Sequence, residues 1–134
     1  MVVLFLQLCA YACISGWKDA VLWSKKGSDA YDWNEHWIFG IERACIGSIA
    51  LTVPFMADFT LADSGVIILV FLLCFSFLHN GVYYWQRNKI DVKEYYWFSN
   101  SKTSTAWYNA NSTLRTVFFV VGVIVFYFHW MKVK

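Results

Sequence analysis

The sequence predicts an all-α, polytopic integral membrane protein: four transmembrane helices in a compact bundle, with an interfacial linker between the third and fourth. Three observations carry this. The chain is 59% hydrophobic and only 15% charged, where a soluble domain has about 45–50% and about 25%. Apolar runs of helical length occur four times, each close to the roughly 20 residues that a bilayer requires. Aromatic residues make up 21% of the chain and gather at one end of those runs. The 134 residues suit a single domain, 1–134.

The first span is expected over 1–23. Lys18 and Asp19 disturb its end. Ala10-Tyr11-Ala12 is a weak cleavage motif, but the segment has no basic n-region, so a retained helix is expected rather than a signal peptide. The second span is expected over 37–59, the third over 64–86 and the fourth over 114–131.

Four spans put both termini on one face and the linkers 24–36 and 87–113 on the other. The linker face and the adjacent span ends hold nine of the eleven Lys and Arg residues, Lys25, Lys26, Arg87 and Lys89 among them. The terminal face holds only Lys132 and Lys134. The positive-inside rule then makes the linkers cytoplasmic and both termini external, in a plasma or inner membrane. Trp17, Trp23, Trp33, Trp37, Trp85, Trp97 and Trp107 lie on or near the basic face and only Trp130 near the other. Indole rings favour the headgroup layer. Linker 87–113, with its "KEYYWFSNS" and "TAWYNANS", is therefore expected to lie in the interface.

The stretch "WNEHWIFGIERACIGS", 33–48, sets His36, Glu42 and Arg43 inside or beside an apolar run. At 1.5 Å per residue, Asp19, Glu42, Arg43, His79 and Asn80 share a layer roughly 6–10 Å below the basic interface, and Arg115 opens the fourth span there. With His36 at the surface, these seven residues form a candidate polar cluster for a ligand or a proton. Charges at such depth cost at least about 2.5–3.5 kcal/mol each, so pairing between helices is expected. Glu42 and Arg43 point about 100° apart and must reach different helices. The expected pairs are Arg43 with Asp19, and Glu42 with His79 or Arg115.

Helical phase also assigns packing faces. His36, Gly40, Arg43, Gly47, Ala50 and Pro54 fall on one side of the second span, and Cys9, Ala12, Cys13, Gly16 and Ala20 on one side of the first. Ser76, His79, Tyr83 and Gln86 line the third, and Arg115, Phe119, Gly122, Phe126 and His129 the fourth. Small residues at this spacing let membrane helices approach closely, which marks Gly16, Gly40, Gly47 and Gly122 as helix-packing positions.

Specific chemistry is harder to find. Glu42 is followed three residues on by Cys45, not His, so the E-x-x-H pairs of di-metal bundles are absent. His79 and His129 lie at opposite ends, which disfavours a bis-imidazole haem. No nucleophile elbow surrounds Ser76 or Cys45. No metal and no cofactor is expected, apart from a bound lipid, and the catalytic residues are unknown. A net charge of +2 is too small to imply nucleic-acid binding, and no nucleic-acid partner is expected. The expected partners are the bilayer and either other copies of the chain or further membrane subunits. The expected role is an interaction or assembly subunit whose polar cluster fixes helix packing and holds a lipid headgroup. The alternative is a small membrane enzyme, transporter or channel using Glu42 and His79.

Overall fold

The computed structural model describes residues 2–26, 33–52, 60–91 and 111–133. They form four helices and, among the described residues, no strand: α1 Val2–Lys26, α2 Trp33–Thr52, α3 Leu61–Asp91 and α4 Ser112–Val133. Expected segments 53–59 and most of linker 87–113 lie outside the described residues.

Local chemistry sets two of the helix starts. Thr60 and Asp63 make a reciprocal capping box at α3. The Asp63 amide donates to Thr60 Oγ1 at 3.2 Å, and the Thr60 amide donates to Asp63 Oδ2 at 2.8 Å. Two orphan amides are satisfied together. At α4, Asn111 is the N-cap, its Oδ1 accepting the Leu114 amide at 2.8 Å.

Helix α3 is the centre of the bundle, with α1 and α4 packed along it and α2 touching it more lightly. Leu8 and Ala12 of α1 bury against Ile67 and Phe71 of α3, and Gly16 reaches His79 further along both chains. Both numbers rise together, so α1 and α3 run parallel. On the other flank the order reverses. Asp63 meets His129, Cys74 meets Gly122, and Phe77 stacks on Phe119 with centroids 4.3 Å apart. So α4 runs antiparallel to α3.

Two glycines permit these approaches. A Cβ at Gly16 would overlap the backbone carbonyl oxygen of His79, and one at Gly122 would sit 2.8 Å from Cys74 Sγ. Gly40 and Gly47 are different: a Cβ at either would meet nothing within 4 Å. Their expected packing role is not met among the described residues. Helix α2 makes its closest contacts through the ends of long side chains, which hold its small face at a distance.

Helices α3 and α4 are long and apolar enough to cross a membrane, over 30 residues (61–90) and 21 residues (112–132). Helices α1 and α2 do not reach that standard, so a bundle of four spans is not established by length and composition. The reasons are local. Gln7, Lys18 and Asp19 interrupt α1, and Asn34, Glu35, His36, Glu42 and Arg43 crowd the first half of a 20-residue α2.

Candidate functional site

The basic-side ends of α1, α2 and α3 converge on three side chains. Asp19 is buried on the face of α1 that also buries Leu8, Ala12, Ser15 and Ala20. Its Oδ2 lies 2.9 Å from His79 Nε2 and 3.3 Å from Arg43 Nη2, while Nη2 is 3.3 Å from Nε2. This triangle constrains the protons. Arg43 Nη2 can only donate, and the carboxylate can only accept. An Nε2 this close to a carboxylate oxygen is therefore the protonated nitrogen, and Asp19 Oδ2 accepts from both partners. The Arg43–His79 approach follows from sharing that acceptor.

Aromatic rings hold the other members in place. The His79 ring stacks on Phe75 at 5.1 Å and lies nearly parallel to Tyr83 at 6.5 Å, one turn away on either side. The Arg43 guanidinium lies over Phe75 at 4.9 Å. Phe75 thus touches both Arg43 and His79, and its ring face favours the guanidinium charge.

A second bridge lies beside the first. Lys18 Nζ donates to Glu42 Oε2 at 2.6 Å, with the two side chains 35% and 38% exposed. Arg43 does join Asp19, but Glu42 reaches neither His79 nor Arg115. The reason is geometric. Helix α2 runs antiparallel to α1 and α3, since Arg43 meets His79 while Ile46, further along α2, packs on the earlier cluster of Leu8, Ala12, Ile67 and Phe71; in two such facing helices, one step along each chain turns both side chains to the same flank of the contact. Lys18 and Glu42 therefore share one flank and Asp19 and Arg43 the other. Lys18, absent from the expected cluster, is the residue the pattern missed.

The remaining candidates separate. Asn80 turns back on its own helix, its Nδ2 donating to the Ser76 carbonyl at 2.8 Å. Arg115 is buried at the start of α4, beside Tyr84 and within electrostatic reach of His79. His36 belongs to the first turns of α2, and its side chain lies outside the described residues. Among the described residues no three His, Cys, Asp or Glu side chains gather as a metal site.

Beside the junction, between α2 and α3, runs a groove of about 490 Å³. Gly40, Ala44, Gly47 and Ser48 form one wall, and Ile68, Phe71, Leu72, Phe75 and Ser76 the other, with Arg43 at the polar end. Gly40 and Gly47, where an added Cβ would meet nothing among the described residues, thus line an opening of a size that suits a small-molecule site.

The sequence reading also missed a contact at the opposite end of the bundle. His129 Nε2 lies 2.7 Å from Asp63 Oδ1, so the carboxylate that caps α3 also ties down the last turns of α4. The signal was present, since Asp63 directly precedes the third expected span and His129 ends the fourth, which puts both near the terminal face. Comparison with protein-family models, curated proteins and solved structures finds no match for this chain.

Proposed function

We propose that the chain is a four-span integral membrane protein that works as an assembly subunit, alone as a homo-oligomer or within a larger membrane complex. On this reading, its polar junction locks the helices together and presents Arg43 to a lipid headgroup. One observation carries the proposal: the molecule is inside out. Its charged groups are paired across helices at the junction, while large apolar side chains point outward. Val117, Val121, Ile124 and Phe128 make an exposed stripe along α4, and Val3, Leu6, Ile14 and Trp17 are exposed on α1. An apolar surface of this extent belongs against lipid or another protein.

The same pairing supports membrane passage for α1 and α2. The residues that make them too polar as isolated helices include Lys18, Asp19, Glu42 and Arg43. These four form two ion pairs with each other. A pair crosses the apolar layer at far lower cost than its separate charges. The basic linkers then face the cytoplasm and both termini the outside.

An alkaline wash of membranes, termini-specific labelling of intact cells and particle mass in nanodiscs test this reading. The chain is expected to resist extraction, expose both termini outside and run above the 15.6 kDa of one protomer. Release by alkali would overturn the membrane assignment. A lone protomer in every preparation would overturn the assembly role.

A second reading has its own support. The buried Asp19–His79 contact is a pair that could hand a proton on, with Asp19 taking the place expected of Glu42. Proton flux in proteoliposomes that is lost in Asp19→Asn would favour it. No flux in the wild type would remove it.

A further inference from the structure

We infer that Ser76, His79 and Asp19 form the reacting end of a carboxylic ester hydrolase, with the α2–α3 groove seating the aliphatic acyl chain of the substrate. This goes beyond the assembly reading and does not depend on it. The first argument is where the protons are. His79 Nε2 points its hydrogen at Asp19 Oδ2, 2.9 Å away. In the neutral ring this leaves Nδ1 with a lone pair, and Nδ1 has no hydrogen-bond partner among the described residues. Ser76 stands one turn back on α3, at the i, i+3 spacing that makes side chains neighbours. Its Oγ accepts from Asn80 Nδ2 at 3.4 Å, and its hydroxyl proton has no acceptor among the described residues. A base without a donor thus lies beside a donor without an acceptor. A hydroxyl nucleophile, an adjacent base and a third group that orients the base are the parts that nucleophilic catalysis requires. Such a set is recognised by roles rather than by order in the chain, and here Nδ1 rather than Nε2 is the base.

The groove is the second argument. Ser76, Phe75 and Arg43 belong to its lining, and Phe75 carries the His79 ring at 5.1 Å. From Ser76 back to Ile68 the α3 wall is Phe75, Leu72, Phe71 and Ile68, faced by Ala44, Gly47 and Ser48 of α2. Eight residues give about 12 Å of mostly apolar surface. An acyl chain laid along it, away from the basic face, brings its carbonyl carbon to Ser76. Arg43 stays on Asp19, and its guanidinium beside the reacting end favours the negative charge that grows on the carbonyl oxygen.

The steps balance. Ser76 Oγ bonds to the ester carbonyl carbon as its proton passes to His79 Nδ1. The bond from that carbon to the leaving alkoxy oxygen breaks, and the alcohol departs with the proton from Nδ1. Water then adds to the acyl-serine, its proton passing to Nδ1 and on to Ser76 Oγ, and the carboxylic acid leaves. Asp19 is a positioning residue that keeps the hydrogen on Nε2 and Nδ1 bare.

The test treats the full-length protein in mild detergent with a decyl fluorophosphonate and locates the adduct by tandem mass spectrometry. One phosphonyl group on Ser76 is expected in the folded protein and none after heat denaturation. The protein should hydrolyse para-nitrophenyl decanoate with kcat/KM at least about tenfold above the acetate ester, the bias of a few buried methylenes. Ser76→Ala should lose both the adduct and the turnover. His79→Gln should slow turnover by about 100- to 10,000-fold, the usual effect of a positioned base. Asp19→Asn should lower kcat at an unchanged KM for the decanoate, a split that loosened helix packing alone would not produce. No adduct on Ser76 in folded wild-type protein overturns the inference. So does turnover that survives Ser76→Ala or His79→Gln, or an equal rate on acetate and decanoate.

Discussion

Four glycines of α1, α2 and α4 form two pairs that sequence spacing cannot tell apart. Gly16 and Gly122 sit where α1 and α4 press on α3, with no space for even a methyl group. Gly40 and Gly47 have the same helical spacing from their neighbours and face open space. The difference lies in what surrounds them. Around Gly16 the face of α1 is short-chained, Ala12, Ser15, Asp19 and Ala20, and the backbones meet. Around Gly40 and Gly47 the face of α2 carries Arg43, whose long side chain reaches across to Asp19 and Phe75. It acts as a spacer as well as a clasp. A small-residue stripe is therefore not by itself a helix contact.

Substitutions can break or sharpen this contrast. The largest effect is expected from Asp19→Ala, which strips both Arg43 and His79 of their shared acceptor. Breaking a buried pair costs about 3–5 kcal/mol, and the partial exposure of Arg43 points to the lower end of that range. Thermal unfolding in detergent, referenced to Asp19→Asn, measures it. Next is Gly16→Ala. Overpacking costs about 1–3 kcal/mol, and the upper end is expected because the obstacle is the His79 backbone rather than a movable side chain. A Gly16→Ala protein as stable as wild type would show that α1 can slide along α3.

Smaller effects belong to α2. Glu42→Gln should cost under about 1 kcal/mol, since both partners of the Lys18 bridge are more than a third exposed. Helix-specific labelling should still find α2 docked. The smallest change is expected from Gly47→Ala, which should be neutral or stabilising by up to about 1 kcal/mol, the intrinsic helix preference of alanine over glycine. A large loss at Gly47 would mean that another helix packs there in the assembled protein.

Much of the frame was legible in the chain. Apolar runs placed the four helices, because burial and helix length leave a direct trace in composition. Counting depth brought Asp19, Arg43 and His79 to one level, because rise per residue is fixed. The line Arg115, Phe119, Gly122, Phe126 and His129 is the side α4 turns to its neighbours, with Phe119 on Phe77, Phe126 on Phe5 and His129 on Asp63. What stayed hidden depends on which helix arrives where. Glu42 was given to the wrong helix because pairing depends on the direction of rotation at a helix contact, which phase on one helix does not contain. Asn80 had a local acceptor one turn back, so its presence in the layer did not bring it into the junction. The charges of α1 and α2 are the subtlest case. The four charges that count against each helix alone are two pairs once the helices meet, and a one-helix-at-a-time measure cannot register that.

The junction of α1 and α2 on α3 is the feature on which these conclusions depend, and a double-mutant cycle addresses it most directly. Asp19→Ala, Arg43→Ala and the double variant would be unfolded thermally in the same detergent. Side chains in direct contact couple by about 0.5–3 kcal/mol, so the double variant should be at least about 1 kcal/mol more stable than the two single losses add up to. Simple additivity would mean that Asp19 and Arg43 do not meet in the folded protein, and the polar junction would not exist.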